Sequence, residues 1–514
     1  MSDQKTGWFH PGQRELPYAD TLIESGTNPW EWLRNASGNT ASESKLLQLV
    51  RSSMLSLWSI PNPYTDEGLA SSGSGKELCD LMVIFGDDVL LFSDKDCAFP
   101  KHSDIKVAWT RWYRRAIVKS AKQLVGAEGS LRRPTIQLFT DARCTKKLPL
   151  DLPNPTRMRV HLIAVAHGST AAAERYWCAY GGERGSSGSL MLNTRLVGGV
   201  HEQEPFQIGW PLGPHKFVHV LDDLTLSLLM NELDTVADFT GYLTKKEKLF
   251  RKSGCEFIIP GEEDLLTAYI SNVARDGAHN FPDFEEDSTV VMREGSWKTF
   301  RKSRTYKARA TTAYLSHLWD DLIEYQASHV IYGSSQEFFV GREKERTDSN
   351  ERILRVMASE NRRTRRMLGE TLRDGRLISS RRKRFVRTVL HPNRERLYCF
   401  VFLPFIPDQQ SHSDYRQYRQ YLLHLYCEGA LLHLPHVKEI IGIAIAPYDS
   451  EIVSVDFMYF DVYDSRISPQ DRLQLEEQLS AEDIWNKNAR FRAVSLVTPP
   501  RAPSLLERLR NLRK

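Results

Sequence analysis

Apolar positions first recur at helical spacing from Ser42. Leu46, Leu47, Val50, Met54, Leu55 and Leu57 follow at short intervals, and Ser42 is placed to cap the first turn ahead of Glu43 and Lys45. The pattern predicts a helix of about four turns that stops at IPNPY, after which GLASSGSGK reads as a loop. Two apolar runs come next, LCDLMVIFG over 78–86 and VLLFSDK over 89–95, on either side of Asp87-Asp88. They predict a hairpin turning at those two residues, and its apolar character on both faces predicts a covered sheet. Over 107–128, Trp112, Ala116, Ser120 and Leu124 recur every four residues with Arg and Lys between them, the pattern of an amphipathic helix. Strands are predicted at 135–139 (TIQLF) and 159–167 (RVHLIAVAH), giving the order helix, strand, strand, helix, strand.

Beyond residue 256 the pattern turns mostly helical as far as about 390, with YLSHLWDDLIEYQASHVIY as its clearest amphipathic stretch. Strand character returns over 396–464 around a helix containing DYRQYRQYLLHLYCEG, which predicts a second, smaller α/β unit. The organisation read from the chain is an N-terminal arm over 1–41, an α/β domain over 42–255, a helical region over 256–390, and a C-terminal α/β unit over 391–514. That last unit closes in a basic amphipathic tail, RAPSLLERLRNLRK.

Composition narrows the class. In 514 residues, 41% are hydrophobic and 26% charged, a globular balance with material for several cores. No run of about 18 apolar residues offers a membrane span, so no membrane partner is expected. Seven scattered cysteines without a CxxC pair argue against a disulfide framework or zinc knuckle. With an opening segment that lacks a secretory pattern, they place the protein in the cytoplasm. The net charge of +4 names no partner by itself. Its distribution says more: Arg362, Arg363, Arg365 and Arg366 form one block, and Arg381, Arg382, Lys383 and Arg384 another. These are read as a nucleic-acid-holding segment. Glu343, Glu345, Glu351 and Glu360 offer the alternative of an ion-paired helical face.

For chemistry, no GxxxxGK[ST], HExxH or nucleophile elbow is present. His167, at the end of an apolar strand, reads as a structural histidine, and Asp320 and Glu324 of WDDLIE as a helix-packing or surface feature. The informative set is Glu43 on the first helix, Asp80 at the start of the hairpin, Lys95 at its far end and Gln123 on the following helix. A tight hairpin sets Asp80 and Lys95 close together, so an acid and a lysine lie at one sheet end. A simple cross-strand ion pair is the competing explanation. Glu77, three residues before Asp80, competes with Glu43, which a helix dipole would also favour. Lys119 shares a helical face with Gln123, but Gln123 lies nearer the apolar stripe.

In this order and spacing the segment from about 42 to 170 resembles the PD-(D/E)XK nuclease superfamily, and FSDK, RWYRR and KSAKQLVGAE are similar to stretches of uncharacterised bacterial proteins with that fold. The resemblance implies a restriction-endonuclease-like core sheet flanked by helices, and a Mg2+- or Mn2+-dependent endonuclease acting on nucleic acid, DNA ahead of RNA. A role in bacterial defence and a protein partner or homo-oligomer are compatible with it. It assigns catalysis to Asp80, Lys95, Gln123 and Asp94, and metal binding to Asp80, Glu43 and Asp94. One position departs from the pattern: two residues before Lys95 stands Ser93, and the acid is Asp94. In a regular strand Asp94 faces away from Ser93 and Lys95, whereas a bulge would turn it inward. The departure keeps a second expectation open, a degenerate nuclease fold that binds nucleic acid or acts as a scaffold.

Overall fold

The computed structural model describes residues 14–15, 28–181, 187–273, 278–332, 339–340, 349–379, 384–406, 410–450, 452–461 and 468–485. Apart from 14–15, most of the expected arm over 1–41 precedes residue 28 and lies outside these residues, as do the basic tail and Arg381, Arg382 and Lys383. The chain forms two compact units, Pro29–Lys307 and a second comprising Met1–Asn28 with Ala308–Lys514. Both are mixed α/β. Among the described residues no helix is long and apolar enough to cross a membrane.

The Pro29–Lys307 unit opens with helix α1 (Ala41–Met54), capped by Thr40, whose Oγ1 accepts from the Glu43 amide at 3.2 Å, and not by Ser42. A five-stranded sheet follows, built from β1 (Ser59–Pro61), β2 (Leu81–Phe85), β3 (Asp88–Asp96), β4 (Arg159–His167) and β7 (His219–Leu221). Between β4 and β7 in sequence lie β5 (Met191–Val197) and β6 (Gln207–Trp210) of another sheet. The order across the five strands is β7-β4-β3-β2-β1. β1, β2 and β3 form an antiparallel meander, while β4 pairs parallel with β3 and β7 parallel with β4. The hairpin turns at Gly86-Asp87, one residue earlier than expected, because Asp88 pairs with Phe85. Gly86 takes φ +59°, a conformation glycine adopts without strain.

The crossover from β3 to β4 contains α2 (Ile105–Tyr113) and α3 (Lys119–Leu131), joined through a π-helical turn over Arg114–Val118. Trp109, Trp112, Ala116, Ile117, Ala121 and Leu124 are buried in a core with Met82, Ile84, Val89, Leu91, Leu162, Ala164 and Ala166. The Trp112 indole N–H donates to the carbonyls of both Cys97 (3.0 Å) and His167 (3.2 Å), tying the helix to the ends of β3 and β4. Helix α4 (Thr170–Gly181) follows β4, and α1 meets α5 (Asp223–Glu232) through a hydrogen bond from Ser53 Oγ to the Met230 carbonyl at 2.8 Å. The stretch TIQLF does not enter this sheet. Only Leu138–Phe139 is strand, and it joins a small three-stranded sheet with Tyr64–Thr65 and Lys76–Glu77. The boundary expected at 255 also moves: β8 (Glu256–Ile259), between α6 (Val236–Phe250) and α7 (Glu262–Ser271), pairs antiparallel with β5 and parallel with β9 (Thr289–Val291), and the first unit runs on to Lys307.

The second unit has its own mixed sheet. β10 (Phe385–Leu390) and β11 (Arg396–Phe402) are antiparallel, and helix α11 (His412–His433) leads to β12 (Glu439–Ile445), parallel to β11. β13 (Val455–Asp461) then runs antiparallel to β12. Helices α8 (Arg304–Tyr332), α9 (Ser349–Ala358) and α10 (Arg362–Ser379) precede this sheet. A Cβ on Gly369 of α10 would lie 1.8 Å from the Leu315 carbonyl oxygen, so only glycine lets α10 approach α8 this closely. Asp320 of α8 is ion-paired to Arg362 and Arg365 of α10. Burial would raise its carboxyl, but Arg365 and Arg362 hold it well below the usual range. Asp320 is thus the packing residue that the sequence suggested, with a pair of arginines as its purpose.

Removing one partner of such a pair leaves a buried charge undercompensated, at a cost of about 3–5 kcal/mol. Arg365→Ala is expected to destabilise the second unit by roughly that amount, measured by denaturant unfolding, and Asp320→Asn to act in the same direction.

Candidate functional site

β3 pairs with β4 in unbroken register from Asp88↔Arg159 to Asp96↔His167, so side chains alternate strictly along it. Ser93 and Lys95 therefore project toward α3, and Asp94 projects to the opposite face. Asp80, immediately before β2, falls across from Ser93 in the β2–β3 ladder and shares its face. The structure thus brings Asp80, Ser93, Lys95 and Gln123 together and separates the Asp94 carboxylate from them. There is no bulge, so the assignment of Asp94 as a ligand beside Asp80 is corrected.

Asp80 is nearly buried, and its Oδ2 accepts from the Asp94 backbone N–H at 2.5 Å and from Lys95 Nζ at 3.2 Å. Its own N–H donates to the Phe92 carbonyl at 3.1 Å, which holds the residue in the ladder. Burial raises the Asp80 carboxyl; Lys95 and the Asp94 N–H oppose the rise, and Glu43 adds to it. Ser93, fully buried, donates to Gln123 Oε1 at 3.3 Å and to Ser120 Oγ at 3.2 Å. Gln123 is the inward residue of its helix, while Lys119 is exposed.

Asn62 joins the two remaining acids, and the sequence reading passed over it. Its Nδ2 donates to Glu43 Oε2 at 3.0 Å and to Glu77 Oε1 at 3.1 Å, and its backbone N–H donates to the Asp80 carbonyl at 3.1 Å. Asn62 takes φ +44°, which asparagine tolerates better than most side chains. Glu43 and Glu77, rivals in the sequence, are both present. Burial raises the Glu77 carboxyl; the Asn62 amide opposes this, and the charges of Asp80 and Glu43 push it further up.

These groups offer hard oxygen donors, the set that Mg2+ or Mn2+ takes. Asn62 Oδ1 is buried and accepts no hydrogen bond among the described residues. Among those residues, however, no group of three or more His, Cys, Asp and Glu is arranged to hold a metal ion. The side chains fit a cation held by one or two carboxylates and completed by water and substrate oxygens, as Mg2+ often is, rather than one enclosed in a protein cage.

On the other face Asp94 meets His167. His167 Nε2 lies 2.5 Å from Asp94 Oδ1, and Nδ1 lies 2.5 Å from Asp223 Oδ1. Asp223 Oδ2 also accepts from the Gly168 N–H (3.1 Å) and Thr170 Oγ1 (3.2 Å). Burial alone would lower the His167 ring, but its hydrogen bonds to the Asp223 and Asp94 carboxylates outweigh it and push its pKa up to about 10. The sequence reading of a structural histidine named the residue without its partners. Asp223 lies 56 positions away and Asp94 lies 73 away, so no local pattern announces either partner.

The described members of the expected nucleic-acid-holding set, Arg362, Arg363, Arg365, Arg366 and Arg384, are not a free surface. Arg365 is buried and donates to the Glu360 carbonyl at 2.8 Å besides pairing with Asp320, and Arg362 pairs with the same carboxylate. Arg363 and Arg366 are half-buried, and Arg384 pairs with Glu482 at 3.4 Å. Of the acids expected to pair with them, Glu360 is instead engaged by Arg396, His391 and Tyr398, Glu351 pairs with Arg355, and Glu343 and Glu345 lie outside the described residues.

No family model, curated protein or solved structure matches the chain.

His167 gives the fold a pH signature. A group whose folded pKa is raised from 6.5 to about 10 contributes stability in full below pH 6.5 and loses it as pH rises through about 10. The wild type is expected to lose more stability between pH 8 and 11 than His167→Gln. Paired melting curves across that range measure the difference, and parallel curves would remove His167 as its source.

Proposed function

We propose that the Pro29–Lys307 unit is a metal-dependent nuclease that hydrolyses phosphodiester bonds, with DNA ahead of RNA as substrate. The observation that carries this reading is the convergence on one buried carboxylate: Asp80 receives both Lys95 Nζ and the Asp94 N–H, with Glu43 and Glu77 close enough to perturb it or one another. The order of helix, antiparallel meander, crossover helix and parallel strand supports the same reading.

Asp80, with Glu77 or Glu43, would hold a divalent cation. When bound, the cation neutralises the scissile phosphate and lowers the pKa of water. Lys95 supplies a positive charge beside the phosphate, where negative charge develops on the oxygens. The Asp94 N–H fixes the Asp80 carboxylate, and Gln123 holds Ser93 in place at the position where the family's pattern has an acid.

A second reading, a nucleic-acid-binding protein on the same fold without hydrolysis, is favoured by Ser93. Its hydroxyl is buried against Ser120 and Gln123 and supplies no carboxylate. Cleavage assays on linear, supercoiled and single-stranded DNA and on RNA, with Mg2+, Mn2+ or EDTA, separate the two. Under the nuclease reading, Asp80→Ala and Lys95→Ala each lower the rate by about a hundredfold or more, the scale of losing one charge-stabilising group, while melting as the wild type does. A variant that cuts at the wild-type rate overturns the assignment.

The regular strand also orders a second pair of variants. Ser93→Ala is expected to shift the Mn2+ midpoint of cleavage more than Asp94→Asn, and Asp94→Asn to lower the melting temperature by loosening His167. The reverse order of metal midpoints would mean that Asp94 turns inward in the working enzyme.

A further inference from the structure

The crossover helix that presents Gln123 carries an unbalanced charge. From Ile105 to Ala127 it holds Lys106, Arg111, Arg114, Arg115, Lys119 and Lys122 and no acid; the first carboxylate is Glu128. All six cations are exposed, while Trp109, Trp112, Ala116, Ile117, Ala121 and Leu124 fill the core on the other side. Arg114 is neutralised by a bidentate pair with Glu202, both contacts at 2.6 Å. Arg115 donates to the Ala98 carbonyl at 2.8 Å, which leaves its charge in place. Lys106, Arg111, Arg115, Lys119 and Lys122 have no carboxylate partner among the described residues. In a chain with 69 basic and 65 acidic residues, such a run is a local excess.

Its position matters as much as its sign. Lys119 and Lys122 adjoin Ser120 and Gln123, the two residues that touch Ser93, and Lys95 lies two residues further along β3. From Arg111 to Lys122 the helix runs about 16 Å at 1.5 Å per residue, a length over which duplex DNA carries roughly nine phosphates. A membrane-lying helix sets exposed aromatic or aliphatic side chains beside its lysines. Here the large apolar residues face the core, so the exposed side offers charge and little grease.

We propose that the exposed side of the α2–α3 helix binds the phosphate backbone of a nucleic acid and leads it to the Asp80–Lys95 site. The proposal rests on the nuclease reading for the site it leads to, but binding is measured apart from cleavage. On α10, by contrast, Arg362 and Arg365 are neutralised by Asp320.

The test uses the full chain in EDTA with a fluorescein-labelled 20-base-pair duplex and a 20-nucleotide single strand, followed by anisotropy across a salt series. The variant Arg111→Gln/Lys119→Gln/Lys122→Gln is expected to raise the duplex Kd by at least about tenfold and to flatten the log–log salt slope by about 0.9 per lost contact. The single variant Lys122→Gln gives one such step should the triple variant melt early. Lys298→Gln/Arg301→Gln/Lys302→Gln removes the same charge from the helix Ser296–Lys302 and should change neither quantity comparably. Equal losses in the two triple variants, an unchanged slope, no binding by the wild type, or tighter binding to phosphatidylserine vesicles than to either oligonucleotide overturns the proposal. Binding with the expected slope but no cleavage under any metal sinks the hydrolytic reading and leaves this surface standing. Cleavage with an unchanged slope does the opposite.

Discussion

The first unit depends on the nine-residue parallel pairing of β3 with β4. Such a pairing requires a crossover, and this one packs its tryptophans on the sheet while Trp112 spans the carbonyls at the two strand ends. An uninterrupted ladder leaves no freedom in side-chain direction. Ser93 and Lys95 must face α3, and Asp94 must face away. Asp80 is then presented to Lys95 by the antiparallel ladder on the other side of β3.

Burial makes this arrangement electrostatically demanding. A carboxylate near the core is penalised unless donors surround it, and Asp80, Glu77 and Glu43 share few: one lysine, the backbone N–H groups of Asp94 and Asn39, and the side-chain amides of Asn62 and Asn39. The raised carboxyls of Asp80 and Glu77 express that shortage. On the opposite face the balance is reversed, since one imidazole is shared by two acids and is held protonated. One strand therefore separates a donor-poor acid cluster from a saturated ion-pair relay.

The second unit uses its charges differently. Arginines pair with buried or half-buried acids distant in sequence, among them Arg362 and Arg365 with Asp320, Arg396 with Glu360, and Arg416 and Arg419 with Asp456. The Asp320 pairs join α8 to α10 and the Asp456 pairs join α11 to β13, so there the guanidinium fork fixes one element against another as well as neutralising the acid. Basic density in a sequence therefore carries two meanings, and burial alone distinguishes them. Arg362 and Arg365 of α10 lie toward a carboxylate, and the arginines of the α2–α3 helix are exposed.

Local periodicity was sufficient to read α1, the β2–β3 hairpin, the crossover helix and β4, because each buries a face whose spacing is set by its own geometry. The face of Lys95 and Ser93, and the inward choice of Gln123 over Lys119, followed from the same periodicities. Cap and turn positions shifted by a residue or two, since Thr40 and Gly86 won through backbone conformation rather than hydrophobic pattern. TIQLF read as a strand but found only two residues' worth of partner, because strand pairing is decided by what lies alongside. The acid cluster was half legible: Asp80 and Lys95 lie at the two ends of one hairpin, whereas Asn62 joins Glu43 to Glu77 across loops that no period describes. The union of Asp94, His167 and Asp223, and the inward turn of Arg365, were beyond the sequence for the same reason. Periodicity determines which face a residue occupies, but only the packing of distant segments decides which charge it meets there.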